Sequence, residues 1–300
     1  MIGSSRSVYA IIPVRDRWAL TRDCLRALRG QTFPGVRIVV VDDGSADGTP
    51  AHIAREFPEA GVLSGDGTLW WTGATALGVD WVLDQCDDDD LVLTLNNDTT
   101  VDADYISTLV GVVQEHGGRA LVGSVAVDSR DRDTIVDGGP HINWVSAKGG
   151  SYHAGESLAA VRAEGIRVTS PDLLPGRGTL IPVRCLREVG NFDAVRLPHY
   201  AADYEFSARA QRAGYELAMS YEAPVYSEVE ATGVSTKRGR LRWREFLRMF
   251  ASRRSPACLL YRWRFGARSA PRHLVPVFLI MDTARVIVGG LRDQLRGEPR

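Results

Sequence analysis

Residues 91–98 read LVLTLNND: an apolar run broken by one threonine, ending abruptly in two amides and a carboxylate. With four aspartates at 87–90 before it, the run predicts a strand buried on both faces, with Asn96, Asn97 and Asp98 at its C-terminal tip. The same pattern recurs. VYAIIPV (8–14) precedes Arg15-Asp16-Arg17, VRIVVV (36–41) precedes Asp42-Asp43-Gly44-Ser45, and the short GVL (61–63) precedes Gly65-Asp66-Gly67. Between these runs, 18–30, 49–57, 75–83 and 104–115 read as helices; in the first, Leu20, Cys24, Leu25, Ala27 and Leu28 recur at helical spacing before Gly30. Strand and helix in alternation predict an α/β fold built of parallel βαβ units, doubly wound. Ligands of such sheets bind beyond the carboxyl ends of the strands, where all four polar clusters fall. The second half is less regular, with strands expected at 121–127 and 180–183, a loop or hairpin over 137–156, and a helix over 204–214.

The 300 residues are 44% hydrophobic and 24% charged, enough for one large domain. A net charge of -1 argues against general nucleic-acid binding. Cys24, Cys86, Cys185 and Cys258 are far apart, without CxxC or a nearby histidine at ligand spacing, so reduced thiols are expected rather than disulfides or zinc. The first residues lack an apolar signal region, and the longest apolar stretch, 274–291, contains Pro276, Asp282 and Arg285, which are costly at a bilayer centre. A cytoplasmic protein without a membrane span is therefore expected, with one domain over 1–235 and an extension over 236–300.

A carboxylate beside two amides at a strand tip suits a hard divalent cation, Mg2+ or Mn2+, shared with phosphate oxygens. A turn capping the next helix would use the same residues, so the cluster alone does not decide. Four ordered segments add to it: IIPVRDR (11–17), VVVDDGSADGT (39–49), LTLNNDTTVD (93–102) and GNFDAVRLPHYAADYEFSARAQRAGYE (190–216). Together they resemble the family 2 glycosyltransferases of the GT-A fold, over about residues 8–235, and within that family the rhamnosyltransferase-like branch.

The resemblance implies a mixed, mostly parallel Rossmann-like sheet flanked by helices, and a nucleoside-diphosphate sugar as donor. Pro13, Arg15 and Arg17 would border the nucleotide, and Asp42 and Asp43 would flank the base. Asp66 and Gly67 would lie over the nucleotide and ribose, with Asn96 and Asn97 beside the metal ligand Asp98. Asp203 would be the catalytic base of an inverting transfer. Gly178 and Thr179 would close on donor sugar and acceptor, and His199, Tyr200 and Glu205 would lie at the acceptor mouth. Trp70 and Trp71, adjacent after a Gly-rich loop, offer faces for a sugar ring.

Three features depart from the family pattern. Ala202 stands where a glutamate usually precedes the base, Ser227 stands where many relatives place a metal-binding histidine, leaving Glu228 as a substitute, and TGATALG (72–78) lacks the asparagines of the rhamnosyltransferase-like pattern. These departures keep a catalytically weak sugar-nucleotide or glycan-binding pseudoenzyme as the alternative. A nucleotidyltransferase or dinucleotide-dependent oxidoreductase would need a Gly-rich turn after the first strand, and IIPVRDRW has none.

Over 237–272 twelve cations face the single acid Glu245, interleaved with Trp243, Phe246, Phe250, Tyr261, Trp263 and Phe265. A basic, aromatic-rich helical extension of this kind suits either an anionic membrane surface, with about 1 kcal/mol of attraction per cation, or a solvated helical subdomain. The acceptor expected from these features is a glycan or lipid-linked intermediate, and the donor possibilities include dTDP-rhamnose or another deoxysugar.

Overall fold

A computed structural model describes residues 6–227, 243–252 and 255–296. The first half alternates as the sequence predicts: β1 (Val8–Val14), α1 (Trp18–Arg29), β2 (Val36–Asp42), α2 (Thr49–Glu56), β3 (Gly61–Ser64), α3 (Trp70–Leu83), β4 (Leu91–Thr94), β5 (Thr99–Val101) and α4 (Tyr105–Glu115). There follow β6 (Ala120–Asp128), β7 (Ile135–Asp137), the hairpin β8 (Pro140–Asn143) and β9 (Lys148–Ser151), α5 (Leu158–Ala163), β10 (Val168–Thr169), β11 (Thr179–Pro182) and α6 (Val183–Val189). The chain continues through α7 (Ala202–Arg212), β12 (Glu216–Ser227), α8 (Trp243–Met249), α9 (Leu259–Ser269) and α10 (Val275–Arg296).

The large sheet runs β10-β12-β6-β11-β4-β1-β2-β3. β1 pairs in parallel with β2 and β4, and β2 with β3, so the carboxyl tips of these four strands share one edge. β11 breaks the parallel order, running antiparallel to β4 and β6, because Gly178 turns the chain there at φ 79° and donates its amide to Thr94 O at 2.9 Å. One apolar cluster (Ile12, Leu93, Ile106) lies between the sheet and α1 and α4; another (Ile11, Val41, Val92, Phe206) lies on the opposite face under α3, α6 and α7.

The helix expected from 75 begins at Trp70 instead. Its first amides are satisfied from another strand: Asp43 Oδ1 accepts from Leu69 N at 3.2 Å and Oδ2 from Trp70 N at 3.0 Å. A cap 27 residues upstream leaves no local signal. Glycine lets α3 approach the sheet closely: a Cβ at Gly78 would lie 2.6 Å from Ile11 Cγ2 and 3.1 Å from Val41 Cγ2.

At the C-terminal end, α9 packs along α7 and α10 along α9, with Leu173, Leu197, Tyr261, Phe265 and Phe278 in the shared core. Asp282 is 2% exposed and receives two hydrogen bonds from Arg262, which carries it into that core. Residues Arg272–Arg292 form a helix long and apolar enough, by length and composition, to cross a membrane, with mean hydropathy 1.8. The same helix contains Pro276, Asp282 and Arg285, the residues that argue against a span, and Asp282 is paired there with Arg262. Glu228 and the basic residues 237–242, 253 and 254 lie outside the described residues.

Substituting Gly78→Val should cost about 1–3 kcal/mol in urea unfolding through overpacking against β1 and β2. Gly111→Ala on α4, where an added Cβ meets nothing within 4 Å, should instead stabilise by about 0.5–1 kcal/mol.

Candidate active site

The strand tips enclose a cleft of about 520 Å3 lined by Pro13, Arg15, Arg17, Asp43, Gly67, Trp70, Trp71, Asn97 and His199 among others. The turn after β1 carries two non-glycine residues at positive φ, Asp16 (57°) and Arg17 (61°). Such conformations persist only where the surroundings hold them. Here Asp16 N donates to Ser45 Oγ at 2.7 Å and Ala46 N to Asp16 Oδ1 at 2.7 Å, tying the β1 tip to the β2 tip. Arg15 Nη1 donates to Gly67 O at 2.7 Å, extending the rim to the β3 loop.

The two adjacent aspartates differ. Asp43 Oδ1 also accepts from Gly67 N at 2.8 Å, so its carboxylate receives three backbone amides and orders loop 65–70. Asp42 is buried, accepts from Ser45 N at 3.2 Å through Oδ2, and leaves Oδ1 buried without a partner. Asp66 turns outward and accepts from the Thr68 hydroxyl and amide, which lower its pKa. It is absent from the residues lining the cleft.

A chain of contacts connects the β4 tip to α7. Trp71 Nε1 donates to Asn96 Oδ1 at 3.0 Å, its ring lies against Gly176 so closely that any side chain there would collide, and Gly176 N donates to Asp203 Oδ2 at 2.7 Å. Asp203 Oδ1 accepts from Tyr204 N at 2.9 Å. Burial pushes the Asp203 carboxyl above its ordinary value, the two amides oppose that, and the charge of Asp137 adds to it. The β4 tip, which carries Asn96 two residues before Asp98, is thus joined through Trp71 and Gly176 to Asp203, a hundred residues later in sequence.

The Asp98 carboxylate is 8% exposed; Oδ2 lies 3.7 Å from Arg17 Nη1, and Oδ1 is buried without a partner. β12 brings Ser227 into register opposite Thr99, the residue after Asp98, and Arg177 Nη1 donates to Ser227 Oγ at 3.4 Å. Among the described residues no three His, Cys, Asp or Glu side chains group as a metal site. The orphaned Asp98 oxygen fits a cation that takes one carboxylate from the protein and its other ligands from a diphosphate and water.

Other expected residues serve the framework. Gly178 and Thr179 shape the turn into β11, with the Thr179 hydroxyl donating to Pro175 O at 2.6 Å. Asn97 lines the cleft while its Nδ2 donates to Thr21 Oγ1 at 2.9 Å. Glu205, expected at the acceptor mouth, is 1% exposed and paired at 3.0 Å with both Arg209 and Arg268; it points along the far side of α7 and ties that helix to α9. A helix places residues two apart on different faces, so Asp203 and Glu205 part company.

Sequence reasoning misses Asp137, and reads Arg177 only as part of the Gly-rich turn 176–179. Asp137, at the end of β7, accepts from Ser151 Oγ at 2.6 Å and Gly139 N at 3.1 Å, and Oδ2 lies 4.0 Å from Arg177 Nη2. The available signal was again a carboxylate at a strand end followed by glycines, in VDGG (136–139), within a stretch taken as loop or hairpin.

Replacing Asp43 by alanine should quicken amide hydrogen exchange at Gly67, Leu69 and Trp70 at least tenfold, while Val39 and Val40 inside β2 keep their protection; unchanged exchange in the loop would contradict the assigned role.

Solved structures that share the fold include the following three. GalNAc-T7 with UDP, GalNAc and Mn2+ superposes with a TM-score of 0.59 at 13% identity, over 97% of this chain and 57% of that one. The mannosyltransferase PcManGT from Pyrobaculum calidifontis, in complex with GDP-Man and Mn2+, gives 0.57 at 15%, over 98% and 88%. S. aureus TarS 1-349 gives 0.53 at 13%, over 94% and 72%. This chain therefore spans little more than half of the GalNAc-T7 chain. No curated protein matches it. The pattern of glycosyl transferase family 2 matches residues 9–166, more than half of the sequence, and that of glycosyl transferase family group 2 matches 91–287. With a GT-A sheet, a cleft at its strand tips and this match in sequence, the chain belongs to glycosyltransferase family 2.

Proposed function

We propose that the protein is an inverting, metal-assisted transferase that moves a sugar from a nucleoside-diphosphate donor to a hydroxyl of a glycan or lipid-linked acceptor. A deoxysugar such as rhamnose on dTDP is the donor suggested by the resemblance at the NND segment. The observation that carries the reading is Asp203, a carboxylate held by two backbone amides, raised in pKa, and linked through Gly176 and Trp71 to the tip bearing Asp98. The bound GDP-Man and Mn2+ of PcManGT support the donor class.

In this reading Asp203 accepts the proton of the acceptor hydroxyl as that oxygen bonds the anomeric carbon. The bond from that carbon to the diphosphate breaks on the opposite face, which inverts the centre. Arg15 and Arg17 at the cleft rim balance the charge that develops on the departing diphosphate. Asp98 would hold a divalent cation, which when bound would add to the neutralisation of that charge. His199, whose pKa is lowered by burial, stays neutral near pH 7 and walls the sugar side together with Trp70, its ring 5.1 Å away.

Asp203→Asn should lower kcat by about a thousandfold while leaving nucleoside-diphosphate binding intact. For the wild type, the acid limb of kcat/KM should lie above the ordinary carboxylate value of 3.8. The sign follows from the role: the base must be ionised, so rate is lost as pH falls through the raised pKa. If the wild type turned over no donor while binding nucleotide, the pseudoenzyme alternative would hold instead.

A lipid-linked acceptor implies work at a membrane surface, and α10 supports that partner. Its outward side exposes Val277, Ile280, Met281, Ile287 and Val288 at helical spacing, with the exposed cations Arg272 just before the helix and Arg292 near its end. Vesicles containing phosphatidylglycerol should co-sediment the protein more strongly than phosphatidylcholine vesicles, and Ile280→Glu with Val288→Glu should weaken that at least fivefold. Equal partitioning by the wild type and the double variant would exclude this surface.

A further inference from the structure

Next to the donor cleft lies a second cavity, of about 370 Å3, bounded by the β8–β9 hairpin, the start of α7, and helices α9 and α10. His199 lines the cleft and Tyr200 lines the cavity, with their ring centroids 4.3 Å apart, so this pair of side chains divides the two spaces. Both walls of the cavity lead to the proposed base. Tyr204 follows Asp203 directly, and Pro140 follows three residues after Asp137, whose charge acts on Asp203.

The lining is chiefly apolar and aromatic: Ile142, Tyr200, Tyr204, Tyr261, Phe265 and Phe278. Arg262 donates to Asp282 and to Pro256 O, and Arg285 donates to Ala147 O. One wall residue, His141, keeps Nδ1 buried without a partner. With most of its exposed lining apolar, the space favours an alkyl or prenyl chain, which needs no hydrogen-bond partner, over a second sugar ring, whose several hydroxyls would each need one. The volume falls in the range of small-ligand sites.

We propose that this cavity receives the apolar aglycone of the acceptor, on the far side of His199 and Tyr200 from the nucleotide, so that the hydroxyl to be glycosylated reaches past that pair to Asp203 and the donor. This rests on the transferase reading above, and it adds the chemical class of the acceptor's tail and the walls that select it. The C-terminal helices then act as part of the acceptor site, because Tyr261, Phe265 and Phe278 come from α9 and α10.

The test compares decyl β-D-glucopyranoside with methyl β-D-glucopyranoside by titration calorimetry, below the micelle-forming concentration and with a saturating nucleoside diphosphate. The two share a sugar, so their difference reads the tail alone. The wild type should bind the decyl glycoside at least tenfold more tightly. Ile142→Trp, which fills the cavity, should remove that preference, and Tyr261→Ala, which deepens it, should shift the preference toward the dodecyl glycoside. Nucleoside-diphosphate binding, measured in the same samples, should be equal in all three proteins. Equal binding of the decyl and methyl glycosides, or a preference that survives Ile142→Trp unchanged, would overturn the cavity assignment. Failure of every nucleoside diphosphate to bind would instead overturn the donor-site reading beneath it.

Discussion

The arrangement of this protein hangs on the indole of Trp71, pressed between two distant parts of the chain. Its Nε1 holds Asn96 at the tip of β4, and its ring packs on Gly176, the residue whose amide holds Asp203. Beside the pairing of β11 with β4, that wedge braces the donor half, built from consecutive βαβ units, directly against the later half carrying the proposed base, at the point where chemistry requires a fixed spacing. Proximity of reacting groups to within a fraction of an ångström is worth several kcal/mol of barrier, which makes a rigid aromatic brace a sound element for the purpose. The constraint also explains the glycine: at Gly176 any side chain would occupy the indole's place.

Strain collects around the same cleft. Asp16, Arg17, Trp70 and Ala201 all hold positive φ without being glycine, and each flanks a residue of the site. The network of Ser45, Asp16, Asp43 and Gly67 holds the turns at Asp16, Arg17 and Trp70. Framework and function are therefore not separable at Asp43, which lines the cleft yet devotes its carboxylate to loop amides, while its neighbour Asp42 retains an unpartnered buried oxygen. Of the two, Asp42 has the unmet hydrogen-bonding capacity that a ligand would satisfy.

Much of this was legible in sequence because parallel strands buried on both faces read as apolar runs, and the polar residues that end them have nowhere to go but the carboxyl edge. That logic located β1, β2, β4 and the clusters at 15–17, 42–45 and 96–98. It stopped where information is carried by contacts between segments. The start of α3 is set by Asp43, the reversal into β11 by the Gly178 amide on Thr94, and the burial of Glu205 by Arg268 on a helix sixty-three residues away. The pairing of Arg177 with Asp137 and Ser227 is illegible for the same reason: only the fold brings β7, the loop before β11 and the end of β12 together. The C-terminal cations illustrate the opposite limit, since composition alone could not tell which of them, such as Arg262 and Arg268, turn inward to meet acids.

The central claim is that the Asp98 tip and Asp203 share one pocket for a metal-bound nucleoside diphosphate. Paramagnetic broadening by Mn2+, added with a nucleoside diphosphate to isotopically labelled protein, measures it directly. The account predicts selective loss of the backbone amide signals of Asp98, Gly176, Arg177 and Asp203, reversed by Mg2+, while Gly35 and Gly118 at the opposite edge of the sheet stay sharp. Broadening that spares either Asp98 or Asp203, or that centres on the opposite edge, would contradict it.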